Sequence, residues 1–183
     1  MAKVPAFSKT CDRTYYPAYR TSGTRPESAI EWIVLHDTES PADSADGVAA
    51  YFHSRSAQGS AHLVIDGDDC HRVLNNTDIP WGAPGANTRG FHIEMVGRAS
   101  WTRKQWLAQD DELNRVAYKV ALHAKRFHIP LVFRKAYGLR HSYKGITTHA
   151  ECTKAFGGSH TDPGSNFPMD VLLEKAKDFS AGL

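Results

Sequence analysis

Cysteine is scarce in this chain: Cys11, Cys70 and Cys152 are the only ones in 183 residues. Three thiols allow at most one bridge, which excludes a disulfide scaffold, and the odd count suits a reducing compartment. An excess of one charge is missing as well. Lys and Arg number 22 and Asp and Glu 20, a formal net charge of +2. With no basic cluster, that balance argues against nucleic acid as a partner and at most tolerates an anionic surface. No apolar run reaches the ~18 residues of a membrane-crossing helix, so no membrane insertion is expected. Residues 1–7 hold one positive side chain with no apolar stretch behind it, so no secretory signal is expected and synthesis in the cytoplasm is.

What is present is ordinary for a soluble domain. Apolar residues make up 41% and charged residues 23%, enough for one domain with its own core, by default a monomer. Residues 1–30 are polar and without period; they read as an arm packed on a domain spanning residues 31–183. Residues 31–37 form a buried strand. Residues 41–44 open a helix with Val48, Ala49, Tyr51 and Phe52 on its inner side. Residues 60–66 and 71–74 read as a hairpin about Gly67-Asp68-Asp69, and residues 75–90 as a loop rich in Gly, Pro and Asn. Residues 91–96 form a strand with Phe91, Ile93 and Met95 on one face and His92 and Glu94 on the other. A helix is expected over 103–127, opened by a capping box of Thr102 and Gln105 and a staple of Trp101 and Trp106. Residues 138–145 read as loop and 168–178 as the last helix. Strands mixed with helices predict an α/β fold.

The chemistry rests on residues far apart in the chain. His36 ends the run Ile33-Val34-Leu35-His36, His149 ends Ile146-Thr147-Thr148-His149, and Asp162 lies in His160-Thr161-Asp162-Pro163-Gly164. Taken singly, each has a plainer reading. The chain has 10 histidines, and one at a strand end is more often a hydrogen-bonded polar residue than a ligand. An aspartate before Pro-Gly is ordinarily a turn residue. Together, two imidazoles and a carboxylate are a common ligand set for a catalytic zinc, which keeps a fourth position open for water. Gly157, Gly158 and Gly164 let the segment between His149 and Asp162 fold back on itself. Cys152, close behind His149, competes as a soft ligand.

Four runs carry a resemblance: Ile33-Val34-Leu35-His36-Asp37-Thr38, Asn87-Thr88-Arg89-Gly90-Phe91-His92-Ile93-Glu94, Thr148-His149, and His160-Thr161-Asp162-Pro163-Gly164-Ser165-Asn166-Phe167-Pro168. Together they resemble the zinc-dependent N-acetylmuramoyl-L-alanine amidases, which share their fold with peptidoglycan recognition proteins. The resemblance spans residues 31–177, and the segment around Asp162 is its most specific part. It implies a single domain with a mixed central β-sheet flanked by helices. It also implies one zinc ion per chain held by His36, His149 and Asp162, and peptidoglycan cut between N-acetylmuramic acid and the L-alanine of the stem peptide. Glu94 matches the acidic residue that assists catalysis. His160 stands where many relatives carry lysine, and is expected to donate a hydrogen bond to the developing oxyanion.

The same resemblance places Ala61 where some relatives have a catalytic tyrosine, which argues against that variant of the mechanism. Trp81, Asn87 and His62 are the expected substrate contacts, His62 in a supporting hydrogen-bond role. His92 is expected to orient Glu94. On the residues alone, Glu94 reads instead as a surface carboxylate paired with Arg89 or Arg98. The missing signal makes the chain similar to the catalytic domain of a bacteriophage endolysin, made in the host cytoplasm and acting on the wall after release. Two rivals stand beside that reading: a cytosolic amidase of muropeptide recycling, and a non-catalytic peptidoglycan-binding module.

Overall fold

The computed structural model describes residues 13–14, 17–40 and 44–183. The apolar run Trp32-Ile33-Val34-Leu35 opens the strand β3, Trp32–Asp37, buried along its whole length. A strand covered on both faces reads as a continuous apolar run rather than an alternating one. β3 pairs in parallel with β7, Gly90–Met95, on one side and with β8, Gly145–Thr148, on the other. β4, Leu63–Ile65, joins β7 in parallel, and β5, Cys70–Arg72, returns antiparallel to β4. β1, Arg13–Thr14, runs parallel to β5 at the edge, completing the order β1-β5-β4-β7-β3-β8. The sheet is therefore mixed, as the resemblance implied.

Alternation of side chains sorts the core into layers. Ile33, Leu35, Leu63, Ile65, Phe91, Ile93 and Met95 pack on α2 (Arg103–Leu107), α3 (Asp110–Arg126) and α6 (Met169–Ser180). On the opposite face, Val64 packs against α1, Ala45–His53. Trp32 and Val34 pack there against Leu139 of α4, Ala136–Arg140, and Cys152 of α5, His149–Phe156. Helices thus cover both faces of one sheet.

Several expectations change in detail. Part of the arm expected over residues 1–30, and residues 41–43 of the helix opening, lie outside the described residues. The described part of the arm contributes β1 and also β2, Thr21–Thr24, which pairs antiparallel with β6, Asp78–Pro80, inside the expected 75–90 loop. Ser44 is the N-cap of α1, its hydroxyl accepting from the Gly47 amide. The single helix expected over 103–127 is broken at Gln109, whose φ of −91° and ψ of 50° are not helical. The sequence Asp110-Asp111-Glu112 explains the restart, since a run of acids is favoured at a helix N-terminus. The capping box at Thr102 and Gln105 does form, with the Trp101 and Trp106 rings 4.8 Å apart. Among the described residues, no helix is long and apolar enough to cross a membrane.

Candidate active site

Parallel strands in register end together, and the end of this sheet gathers the site. His36 lies opposite Glu94 across the β3–β7 ladder, so the two side chains stand side by side on one face. Leu35 lies opposite Thr148, which brings His149, the first residue of α5, level with His36. Open α/β sheets bind ligands at this place, beyond the carboxyl ends of their strands. After α5, Gly157 adopts a φ of 95°, a left-handed turn that a side chain would resist. The chain then doubles back until the Asp162 carbonyl accepts from the Ala150 amide at 2.9 Å.

His36 and His149 point their Nδ1 atoms at each other, 3.1 Å apart. Asp162 closes the triangle: Oδ2 lies 3.2 Å from His36 Nδ1, and Oδ1 lies 3.1 Å from His149 Nδ1. Ligands bound tetrahedrally to zinc at ~2.0–2.1 Å stand about 3.3 Å from one another, so the spacing suits that ion. All three residues are buried. Burial alone would raise the Asp162 carboxyl, but hydrogen bonds from His149 and His36 outweigh it and hold the group well below the usual carboxylate range. Burial lowers His149, favouring the neutral ring. An ionised carboxylate and imidazole lone pairs converging in a buried place fit a divalent cation, and would be poorly solvated without one.

Glu94 lines the cleft beside this cluster. Burial, and then the charge of Asp162, push its carboxyl up to about 8. The surface pairing considered for it does not form with Arg89, which binds Glu31 instead. His160 stacks on His149, ring centroids 4.0 Å apart and planes 16° from parallel, and its side chain is 62% exposed at the mouth of the site.

Residues 26–165 match the family described as N-acetylmuramoyl-L-alanine amidase. The chain belongs to that family. No curated protein matches it in sequence. Among solved structures, it is similar to the Staphylococcus aureus hydrolase AmiA in complex with its ligand. That match has 20% identity and a TM-score of 0.70, covering 93% of this chain and 87% of that one. It is also similar to the endolysin LysCS, an N-acetylmuramoyl-L-alanine amidase from Clostridium intestinale, at 14% identity and a TM-score of 0.62, covering 93% and 99%. An AmpD derivative matches at 14% identity and a TM-score of 0.62, covering 93% and 96%. At these identities the structural likeness shows the fold, while the family rests on the match over residues 26–165.

The other residues singled out in this amidase-family chain fall in different places. Trp81 is 42% exposed and lines a cleft of about 520 Å³ that also holds His36, Glu94, His149, His160 and Asp162. Tyr51, expected on the inner side of α1, is instead 45% exposed on that cleft. Nothing in the spacing of α1 separated it from its buried neighbour Phe52. Asn87 does not line the cleft; its side-chain oxygen accepts from the Gly82 and Ala83 amides at 3.1 and 2.7 Å. His62 is fully buried and does not line the cleft; its Nδ1 accepts from the His92 amide and its Nε2 lies 3.2 Å from the Asp78 carbonyl. His92 hydrogen-bonds His36 at 2.9 Å rather than Glu94. Cys152 is buried with Trp32, Val34 and Leu139, outside the cluster of His36, His149 and Asp162. Burial, then the charges of Asp162 and Glu151, push its thiol up to about 12. Its place outside the cluster is what sets it aside as a rival ligand. Ala61 is buried against α1, in line with the absence of a catalytic hydroxyl there.

Proposed function

We propose that this protein is a zinc-dependent N-acetylmuramoyl-L-alanine amidase that hydrolyses the amide between N-acetylmuramic acid and the stem-peptide L-alanine of peptidoglycan. The observation that carries the reading is the convergence of His36, His149 and Asp162 beside Glu94, within a family of that activity. A complete set of donors speaks for an enzyme over a non-catalytic binding module. We take it to act as a monomer on the wall polymer, with no nucleic-acid partner.

An amide resists hydrolysis because water is a poor nucleophile and the tetrahedral intermediate is anionic. Zinc, when bound, supplies a water with its pKa lowered to about 7 and a Lewis acid for the carbonyl oxygen. His36, His149 and Asp162 would hold it. Glu94 takes the water proton and delivers it to the leaving amine. To act as a base it must be ionised; burial and then the charge of Asp162 oppose that, and a cation held by His36, His149 and Asp162 would favour it. His160, at the mouth, offers a ring N–H to the oxyanion. Trp81 and Tyr51 offer aromatic walls to sugar or peptide.

The endolysin role is supported by the shape of the surface. A second cleft, of about 980 Å³, adjoins the first at Glu39 and His160, so the open surface extends beyond the site. Such a surface suits a polymer laid across it. The fold likeness to AmpD keeps a recycling amidase as the second reading. Zinc-loaded, desalted protein is expected to retain about one zinc per chain and to act on intact sacculi. His36→Ala and Asp162→Ala should lose both metal and activity. Either variant keeping full zinc and full activity contradicts the ligand assignment; turnover confined to soluble muropeptides would favour recycling.

A further inference from the structure

His92 is a fully buried imidazole with no part in the chemistry above. Its Nδ1 lies 2.9 Å from Nε2 of His36, and the two rings stack with centroids 5.0 Å apart. The nitrogen of His36 that faces His149 and Asp162 is Nδ1. The far nitrogen of the proposed ligand therefore ends on His92. A metal-bound imidazole carries its proton on that far nitrogen, and the partner there sets its tautomer and aim. His36 Nε2–H then donates to His92 Nδ1, and the proton of His92 sits on Nε2.

The surroundings hold the ring in that pose. Its main-chain N–H donates to His62 Nδ1 at 3.0 Å, and His62 Nε2 donates to the Asp78 carbonyl at 3.2 Å. A Cβ on Gly82 would come within 2.3 Å of His92 Nδ1, and one on Gly90 within 2.4 Å of His92 Nε2. The imidazole is seated in a slot that only glycines leave open, and Asn87 ties down the Gly82 side of it. Among the described residues, His92 Nε2 has no hydrogen-bond partner. The fold bears a bare buried N–H on the side away from His36, as expected if the acceptor on the near side is what matters. Without that acceptor, His36 would keep its proton on Nδ1, where the Asp162 carboxylate attracts it and where a metal needs the lone pair.

We propose that His92 is a positioning residue: it holds His36 in the Nε2-protonated tautomer with Nδ1 free for the metal, and the Gly82–Gly90 slot sets its aim. This rests on the zinc reading above. The test is zinc affinity by competition with a chromophoric chelator, with circular dichroism of each metal-free protein as a check of folding. His92→Phe keeps a ring but no acceptor, and should weaken zinc on the order of 10–100-fold. His92→Asn, whose side-chain oxygen takes the place of Nδ1, should recover most of that loss. Gly82→Ala, which drives the ring off its seat, should weaken zinc with His92 intact. Histidine ¹⁵N NMR of the zinc-loaded wild type should find His36 and His92 both protonated on Nε2, a result that needs no variant to fold. Unchanged affinity in His92→Phe, equal loss in His92→Phe and His92→Asn, or a proton on His92 Nδ1 would each overturn the proposal while leaving the zinc reading in place. A wild type that binds no zinc would overturn both.

Discussion

Glu94 shares its strand face with a proposed metal ligand, and burial with the charge of Asp162 pushes its carboxyl up to about 8. Its role separates cleanly from that of the metal donors. Glu94→Gln is expected to retain zinc while kcat falls ~10²–10⁴-fold, the usual contribution of a general acid–base; metal content and turnover on the same sample check this. Cys152 gives the opposite expectation. It packs on Trp32, Val34 and Leu139, so Cys152→Ala should leave zinc content and turnover unchanged and cost about 1 kcal/mol of stability, read from a urea midpoint. Loss of metal in that variant would restore the cysteine as a ligand. At this scale the sequence singled out His36, His149, Asp162 and Glu94 by the runs they sit in, and the structure brings those side chains together. The sequence was silent where a side chain's direction depends on its neighbours. Asn87 turns back onto its own loop and Tyr51 turns outward for reasons that no local pattern records.

Among the elements, α3 shows how one residue can serve two segments. Glu112 lies in the first turn of α3, and its carboxylate accepts from the Val96 amide just beyond β7 at 2.8 Å. Burial is the main cause, opposed by that hydrogen bond, that pushes the group up to about 8. The folded state therefore favours the protonated acid. Its contribution is fully present below the unfolded value, about 4.5, and is lost as pH rises towards 8. Glu112→Gln keeps the acceptor and removes the ionisation. It should raise Tm by a few °C at pH 8 and by little or nothing at pH 4; thermal melts at the two pH values decide it, and a lower Tm at pH 8 would contradict the burial argument. The break before α3 was not read from the sequence, where one helix was expected over 103–127, and α5 was not expected at all, although Thr148-His149-Ala150-Glu151 has the spacing of a capping box. Its threonine half forms, while the Glu151 carboxylate is drawn off to the Ala136 amide and Lys154.

For the whole molecule, the decisive feature is that three parallel strands end level with one another. β3, β7 and β8 bring His36, Glu94 and His149 to the carboxyl end of the sheet, and the glycine turn after α5 returns Asp162 to them. The α/β class and the mixed central sheet were legible in the alternation of apolar runs and in the family resemblance. The strand order was not, because register and neighbour choice are long-range properties. The short pairing of β2 with β6 was hidden for the same reason: neither segment is apolar enough to announce itself. The central claim is a metal-assisted cut at one amide. The most direct test is a digest of purified peptidoglycan, with and without a chelator, read by mass spectrometry for new ends. The account predicts stem peptides with a free N-terminal L-alanine, lost on chelation and restored by zinc. New sugar reducing ends, cuts within the stem peptide, or turnover indifferent to the chelator would contradict it.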